Sequence, residues 1–161
     1  MIKVLFVCLG NICRSPIAEF IFKDIISKRG VSNKFYIESK ATSSENTYVP
    51  TDMYPPAKDI LKKMNVPFTK HVARKMNKED YEKFDYIIGM DESNIRNIIR
   101  ILGSDNKNKV YKLLYFTGSN NDVIDPWYYG NFDKTYSDIK EGCEAFFKYV
   151  IEKDEGCDYN E

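Results

Sequence analysis

The feature that most constrains the fold is a short apolar run that passes, through a loop, into a segment whose apolar residues recur at helical spacing. Residues 4–7 include β-branched and aromatic side chains, which predicts a central parallel strand covered on both faces. Beyond the loop, Ser15 is a candidate N-cap, Pro16 suits the first helical position, and Gly30 is expected to end the helix. The loop 8–14 is therefore predicted to join a strand to a helix N-terminus.

This loop begins with a thiol and ends with a guanidinium group. A strand-to-helix loop can turn several backbone N–H groups inward, and the helix dipole adds to them, so an anion can bind there. Gly10 and Asn11 are the residue types that best tolerate the positive φ expected in such a curve. The same field should favour the thiolate form of Cys8, with a hydrogen bond from Ser15, and Arg14 supplies a planar fork for two phosphoryl oxygens. The loop therefore predicts a phosphate-binding nucleophile.

The spacing of Cys8 and Arg14 is weak evidence by itself, because many buried cysteines are inert core residues. Here the required context of strand, turn-competent loop and helix is also present, and it favours catalysis.

The loop and four further segments resemble the low-molecular-weight protein tyrosine phosphatases, and the resemblance covers nearly the whole chain. These segments follow the order and the approximate spacing of the family: 8–19, 39–43, 71–74, 84–94 and 125–130. The resemblance implies a phosphotyrosine-protein phosphatase that hydrolyses aryl phosphate monoesters, small aryl phosphates included. Its substrates would be tyrosine-phosphorylated proteins or peptides, and inorganic phosphate would be a product.

The resemblance also implies a role for each matching residue. Cys8 would attack phosphorus and become a cysteinyl phosphate, and Asp125 would act first as general acid and then as general base. Arg14 and the loop would hold the phosphoryl oxygens. The remaining positions of this phosphate-binding set are Leu9, Gly10, Asn11, Ile12, Cys13 and Ser15.

Further residues match supporting positions of the family. Trp127 and Tyr128 would form an aromatic wall for the phosphotyrosine ring, although an exposed aromatic pair is as often ordinary packing. Asn11, Ser39 and His71 would support the loop through hydrogen bonds.

The remaining cysteines do not indicate a metal site. Cys13 is either a small packing residue of the loop or, as the resemblance implies, a partner of Cys8 in a reversible disulfide. Cys143 lies on the apolar face of a predicted helix and is expected in the core. The cysteines show no paired spacing typical of zinc sites, and His71 has no credible partner ligands, so we expect neither a metal nor a cofactor.

Length and composition bound the remaining possibilities. With 161 residues, of which 43% are hydrophobic, the chain is expected to form one domain over 1–161. Its formal net charge is zero, which argues against a nucleic-acid partner. The sequence contains no signal-like N-terminus and no apolar run of about 18 residues, so no membrane segment is expected. A functional free thiolate indicates a reducing compartment, and the cytoplasm is the expected location.

The order of apolar patterns predicts the fold class. Besides 4–7, strands are predicted at 35–37, 86–90 and 110–116, and helices at 55–64, 77–84, 93–102 and 135–151. This alternation predicts an α/β domain with a doubly wound, four-stranded parallel sheet flanked by helices, the phosphate-binding loop following strand 1. The acidic segment 154–161 has little apolar periodicity and is expected to be a flexible tail.

The segment 42–56 departs from the family pattern and is somewhat longer. In the family this segment forms one wall of the cleft, so peptide specificity cannot be transferred from the resemblance. Glu45 would disfavour acidic phosphopeptides if it faces the cleft. Tyr48 would either restore an aromatic wall or pack on the surface.

Three alternative functions are compatible with the fold. A related arsenate reductase needs further redox cysteines, yet none lies between Cys13 and Cys143. Protein-arginine phosphatases tend to carry Thr where Ile12 stands. A binding module without activity would be expected to lose Cys8 or Asp125, and both are present. A tyrosine phosphatase is therefore favoured over all three.

Overall fold

The structure is a computed structural model that describes the backbone of residues 1–159 and, apart from Tyr129 and residues 157–159, their side chains. The four strands are β1 (Ile2–Cys8), β2 (Phe35–Ala41), β3 (Tyr86–Gly89) and β4 (Val110–Lys112). Among the described residues, the α-helices are α1 (Arg14–Lys28), α2 (Pro55–Lys63), α3 (Asp80–Lys83), α4 (Glu92–Leu102), α5 (Pro126–Tyr129) and α6 (Phe132–Tyr159). Two 3₁₀ turns span Ser32–Lys34 and Leu113–Thr117.

The strands form one parallel sheet in the order β2-β1-β3-β4, which confirms the predicted fold class. Strand β1 lies inside the sheet, and alternate side chains enter two different cores. Val4 and Phe6 pack in the larger core with α1, α2 and α6. Leu5 and Val7 pack in the smaller core with α4. All four are fully buried, which is why this run is apolar throughout.

The strand order reverses at β1, which makes this position the switch point of the sheet. Strand β2 pairs with one edge of β1, whereas β3 and then β4 lie on its other side. Such a switch point leaves a crevice at the carboxyl ends of the strands, and ligands bind there in open α/β sheets. Cys8, the last residue of β1, lies at this edge.

The start of α1 differs from the prediction. The helix begins at Arg14 with Cys13 at the N-cap position, so Ser15 is not the cap. The Ser15 hydroxyl instead contacts the Cys8 sulfur. The hydroxyl that a local capping rule would use to cap the helix is therefore already engaged.

The predicted strand 110–116 is wrong beyond Lys112, where the chain turns into the 3₁₀ segment. Its apolar residues pack on α6: the Phe116 and Phe146 ring centroids are 4.8 Å apart. Packing on a helix therefore outweighs the β-propensity of this run.

Other boundaries differ by several residues. Strand β2 continues to Ala41, and α3 is only four residues long. Helix α6 starts before 135 and continues to Tyr159, so helical backbone enters the segment 154–161. Residues 160 and 161 lie outside the described residues, and the flexibility of this tail stays a prediction. Within the described part of the chain, no helix is long and apolar enough to cross a membrane.

Candidate active site

The loop between β1 and α1 is curved as the sequence predicts, but through only one of the two expected residues. Asn11 has a φ of 57°, in the left-handed region. Gly10 does not have a positive φ, which corrects that expectation. A Cβ at Gly10 would lie 2.6 Å from Nδ2 of Asn46, so the absence of a side chain at Gly10 is what lets the Asn46 side chain approach this closely. Asn46 Nδ2 also donates to the Gly10 carbonyl at 3.1 Å.

The sulfur of Cys8 lies under this loop and has two polar contacts. Its Sγ is 3.0 Å from Ser15 Oγ and accepts the backbone N–H of Asn11 at 3.3 Å. Ser15 Oγ already accepts a hydrogen bond from Asn11 Nδ2 at 2.8 Å. The single hydroxyl proton of Ser15 is therefore available to the sulfur, an arrangement that suits a thiolate.

Asn11 is the centre of a buried network that supports the loop. Its Nδ2 donates to Ser39 Oγ at 3.0 Å, and its Oδ1 accepts the backbone N–H of Arg74 at 3.1 Å. His71 Nε2 lies 2.8 Å from the carbonyl and 3.1 Å from Oδ1 of Asn11, so this nitrogen carries the proton. Ser39 Oγ donates to Glu19 Oε1 at 2.6 Å. Asn11, Ser39 and His71 are thus brought together, and Glu19 is a member that the sequence reasoning missed.

Arg14 is almost entirely buried and connects three parts of the chain. Its Nη1 donates to Asp91 Oδ2 at 2.7 Å and to the carbonyl of Val123 at 2.7 Å. Its Nη2 lies 3.5 Å from Asp125 Oδ2. Burial opposes the charge of Arg14, but the negative charges of Cys8 and Asp91 outweigh it and raise the pKa of the guanidinium.

Asp91 had no role in the sequence reasoning, although it lies in one of the matching segments. It follows β3 and is the N-cap of α4, with Oδ1 accepting the backbone N–H of Asn94 at 2.7 Å. The available signal was its position, because a carboxylate directly after a parallel strand lies at the edge where sites form.

Asp125 reaches the same edge from a distant part of the chain. It is the N-cap of the short helix α5, and Oδ1 accepts the backbone N–H of Trp127 at 3.0 Å. Its other oxygen, Oδ2, faces Arg14. The carboxylate is therefore held beside the cleft that Cys8 also lines.

A cleft of about 300 Å³ lies over the loop and brings the predicted residues together. Ser15 lies beneath the loop and is fully buried, and Ser39 and His71 lie behind it. The residues that line the cleft are Cys8, Leu9, Gly10, Asn11, Ile12, Cys13, Arg14, Glu45, Asn46, Asp125, Trp127 and Tyr128.

The two aromatic residues predicted for the wall lie at the cleft, and a third ring, Tyr54, packs on one of them. Trp127 and Tyr128 line the cleft and are 60% and 73% exposed. Tyr48 is 81% exposed, does not line the cleft, and contacts Ser44 Oγ through its hydroxyl. Tyr54 is the ring that packs on Trp127, with centroids 4.9 Å apart, and its backbone N–H donates to the Ile12 carbonyl at 2.8 Å.

Cys13 faces the same cleft and is partly buried. Burial, and then the negative charges of Cys8 and Asp125, raise the pKa of its thiol well above the ordinary range. Among the described residues, no group of three or more His, Cys, Asp and Glu side chains is arranged to hold a metal ion. A metal-free site stays a prediction.

Comparison with known proteins gives consistent matches. Residues 3–155 match the family model for low molecular weight phosphotyrosine protein phosphatase. The chain is 38% identical over 152 residues to the low molecular weight protein-tyrosine-phosphatase YfkJ of Bacillus subtilis, covering 93% of this chain and 96% of that protein. It is 38% identical over 151 residues to the human low molecular weight phosphotyrosine protein phosphatase, covering 91% of this chain and 94% of that protein.

Solved structures agree with these matches. The crystal structure of YfkJ aligns with a TM-score of 0.90 at 37% identity, over 95% of this chain and 96% of that one. The crystal structure of a Drosophila arginine phosphatase aligns with a TM-score of 0.82 at 30% identity, over 92% of this chain and 98% of that one.

Proposed function

The chain belongs to the low molecular weight phosphotyrosine protein phosphatase family, and from that premise we propose that it cleaves phosphotyrosine in two displacements with Cys8 as nucleophile. The observation that carries this proposal is the convergence of three groups on one cleft: the Cys8 sulfur, the Arg14 guanidinium and the Asp125 carboxylate.

In the first displacement, the Cys8 thiolate attacks phosphorus and forms the S–P bond while the bond from phosphorus to the tyrosyl oxygen breaks. Protonated Asp125 transfers its proton to the departing oxygen, so that tyrosine leaves as a neutral phenol. Ser15 and the backbone N–H of Asn11 stabilise the thiolate before the attack, which supports Cys8 as the nucleophile.

In the second displacement, a water molecule attacks the cysteinyl phosphate. The Asp125 carboxylate accepts a proton from this water, the S–P bond breaks, and inorganic phosphate is released with Cys8 again a thiolate. One residue performs both proton transfers because each returns it to the state that the next step requires.

Arg14 and the loop N–H groups stabilise the phosphoryl oxygens in both transition states. Preorganised donors are effective there because they need no reorganisation as charge develops. Arg14 is preorganised by Asp91 and by the Val123 carbonyl, which hold its Nη1 in place. The guanidinium is therefore held at the cleft before a phosphate binds.

The cleft favours a phosphate carried on an aromatic ring. Trp127 and Tyr128 provide apolar surface beside the loop, and the nearly buried sulfur is better reached by a long rigid ring than by phosphoserine. Glu45 also lines the cleft, so peptides with acidic residues next to the phosphotyrosine are expected to be poor substrates.

Phosphoarginine is the second candidate substrate, because the structure of the Drosophila arginine phosphatase aligns over most of both chains. The aliphatic Ile12 in the loop favours phosphotyrosine. This argument depends on a single side chain, so the two substrates have to be compared directly.

The decisive experiment measures hydrolysis of a phosphotyrosine peptide beside phosphoserine and phosphoarginine controls, under reducing conditions with EDTA. Wild-type protein is compared with Cys8→Ser, which keeps the anion site but has a weaker nucleophile. Phosphotyrosine turnover that persists in EDTA and disappears in the variant supports the proposal. Preference for phosphoarginine overturns the substrate assignment, and turnover that survives in Cys8→Ser overturns the nucleophile.

A further inference from the structure

A buried lysine outside the cleft holds the segment that carries Asp125. Lys112 is the last residue of β4, and its side chain is only 9% exposed. Its Nζ donates to the Asn120 carbonyl at 2.8 Å and to Asp122 Oδ1 at 2.9 Å, and it lies 3.4 Å from Glu92 Oε2. A buried ammonium group is costly unless it is paired and hydrogen-bonded, and here its protons have three acceptors.

The charge of Lys112 is maintained by these partners. Burial lowers the pKa of the ammonium, but the hydrogen bond and the charge of Asp122, and then those of Glu92, outweigh burial and raise it. Lys112 therefore remains protonated throughout the pH range in which a phosphatase is assayed, and its contacts do not depend on pH there.

The segment from 119 to 125 has no regular secondary structure, so other contacts must hold it. Asp122 Oδ1 accepts the backbone N–H of Glu92 at 3.1 Å in addition to its bond with Lys112. The next residue, Val123, donates its N–H to the Met90 carbonyl at 2.9 Å. The Val123 carbonyl in turn accepts a hydrogen bond from Nη1 of Arg14. Lys112 thus anchors the start of the segment, and Arg14 anchors it two residues before Asp125.

We propose that Lys112 is a positioning residue for leaving-group protonation, acting through Asn120 and Asp122 to hold Asp125 at the cleft. The inference rests on the proposed role of Asp125. When a distant mutation misplaces a reacting group by about 1 Å, the rate can fall about a hundredfold. An anchor of this kind can therefore affect the acid without touching the substrate.

The dependence of kcat/KM on the leaving group distinguishes this proposal from a merely structural role of Lys112. If Lys112 only stabilised the fold, its loss would not change that dependence. The parameter kcat/KM for aryl phosphates reports the step in which the phenol departs. A well-placed acid neutralises the departing oxygen, so kcat/KM varies little with the pKa of the phenol. Without that acid, esters of acidic phenols still react, whereas phenyl phosphate, whose leaving group has a pKa close to the ~10 of tyrosine, becomes slow.

The experiment measures kcat/KM over a series of aryl phosphates for Lys112→Met and for Asp122→Ala. Asp122 is 46% exposed at its side chain, so its variant tests the same anchor even if Lys112→Met fails to fold. Asp125→Asn is the reference for complete loss of the acid. Lys40→Met is the matched control, because Lys40 also forms a partly buried pair, 2.8 Å from Asp80 Oδ1, in a part of the fold that does not touch the 119–125 segment.

We expect Lys112→Met to lower kcat/KM about tenfold for phenyl phosphate and less than about twofold for the most activated ester, a fraction of the 10²–10⁴ that a positioned acid contributes. Asp122→Ala should also lower kcat/KM more for phenyl phosphate than for the most activated ester. Lys40→Met should leave the dependence on the phenol unchanged. The double variant Lys112→Met/Asp125→Asn should lose no more than Asp125→Asn alone, because the anchor acts through the acid.

Trp127 provides a second readout that does not require activity. It is the only tryptophan of the chain, and its backbone N–H donates to Oδ1 of Asp125. We expect acrylamide to quench its fluorescence more strongly in Lys112→Met than in wild type or Lys40→Met.

Equal losses on every aryl phosphate in Lys112→Met and Asp122→Ala, with unchanged quenching, would overturn the inference. If Asp125→Asn itself shows no dependence on the phenol, the proposed acid is wrong, and that failure is visible independently of Lys112.

Discussion

Arg14 makes contacts that no other residue type can reproduce. One nitrogen of its guanidinium is bound to both Asp91 and the Val123 carbonyl, and a second nitrogen faces Asp125. An ammonium group is a point charge without a planar fork, so a lysine at this position could pair with Asp91 but could not also hold two phosphoryl oxygens side by side.

Arg14→Lys is therefore expected to lower kcat/KM for a phosphotyrosine peptide by about 10²–10³-fold, the range seen when one preorganised donor to the reacting oxygens is removed. The matched control is Arg29→Lys at the other end of α1, where the guanidinium lies over the Phe147 ring outside the site. A loss below about tenfold in Arg14→Lys would show that charge alone, without the planar fork, is sufficient.

Cys13 combines a position at the cleft with a thiol that resists ionisation. We propose that peroxide oxidises Cys8 to a sulfenic acid, and that the Cys13 thiolate then attacks this sulfur, forming a disulfide and releasing hydroxide. Because burial raises the pKa of Cys13, few molecules hold the attacking thiolate at neutral pH.

Disulfide formation after a peroxide pulse should accordingly become faster as the pH rises from 6 to 9, since the thiolate fraction of Cys13 grows about tenfold per pH unit below its pKa. The measurement is a time course of the mass loss of two hydrogens, with dithiothreitol recovery of activity. Cys13→Ala should instead proceed to irreversible oxidation. A rate that does not change with pH, or a product that dithiothreitol cannot reduce, would contradict the proposal.

The β1–loop–α1 unit shows which parts of an element can be predicted from local sequence. The apolar run and the helical spacing that follows it establish the strand and the helix, because both patterns are local consequences of burial. The two predictions for Ser15 had different outcomes: its contact with the Cys8 sulfur is present, whereas its role as N-cap was wrong. Capping rules consider only neighbouring residues, and the Ser15 hydroxyl is committed to the Cys8 sulfur seven residues away.

The walls of the cleft were harder to predict because they depend on contacts between residues far apart in the chain. Asp91 lies 77 positions after Arg14, and nothing in its local sequence indicates that pair. Whether Tyr48 joins the aromatic wall or lies on the surface depends on where an irregular segment docks, and the bond from the Tyr54 N–H to the Ile12 carbonyl fixes part of that segment beside the loop. Asn46 lines the cleft from the segment that departs from the family pattern and was not predicted, and Glu45 was named there only on condition that it faces the cleft. The other cleft residues were predicted because they lie within matching segments whose order in the chain is preserved.

Gly10 links the loop to the neighbouring wall, and Gly10→Ala tests that link. The added Cβ would displace Asn46, whose amide then loses its bond to the Gly10 carbonyl. The displaced group is the flexible end of a side chain, so we expect a stability loss of only about 1 kcal/mol, the net value of one hydrogen bond. Because Asn46 lines the cleft, KM should change more than kcat.

The control for this prediction is a double-variant cycle with Asn46→Ala. If Gly10 acts through Asn46, Gly10→Ala should add little to the effect of Asn46→Ala. Additive effects, or a loss confined to kcat, would show instead that the new methyl group distorts the loop itself.

The proposed active site is complete only when distant parts of the fold are assembled. Cys8 ends β1, Asp91 follows β3, and Asp125 follows the segment that Lys112 anchors at the end of β4. Arg14 joins these parts by contacts to residues 77 and 109 positions away. An anion bound by Arg14 and the loop therefore contacts groups that an unfolded chain does not hold together, so its binding is linked to folding of the whole molecule.

Inorganic phosphate should consequently stabilise the protein against heat. At a phosphate concentration of 100 times its Kd, the stabilisation is about 2.7 kcal/mol. For a chain of this size that corresponds to a Tm increase of roughly 5–10 °C. Differential scanning calorimetry should show nearly the same increase for Cys8→Ser, which keeps the anion site, and a much smaller one for Arg14→Lys, which loses the fork.

Sodium chloride at equal ionic strength is the control for phosphate binding, because it screens surface charges without binding as a tetrahedral anion. An equal Tm increase in chloride, or an undiminished increase in Arg14→Lys, would mean that phosphate acts on the surface of the protein and that the loop is not a preformed anion site.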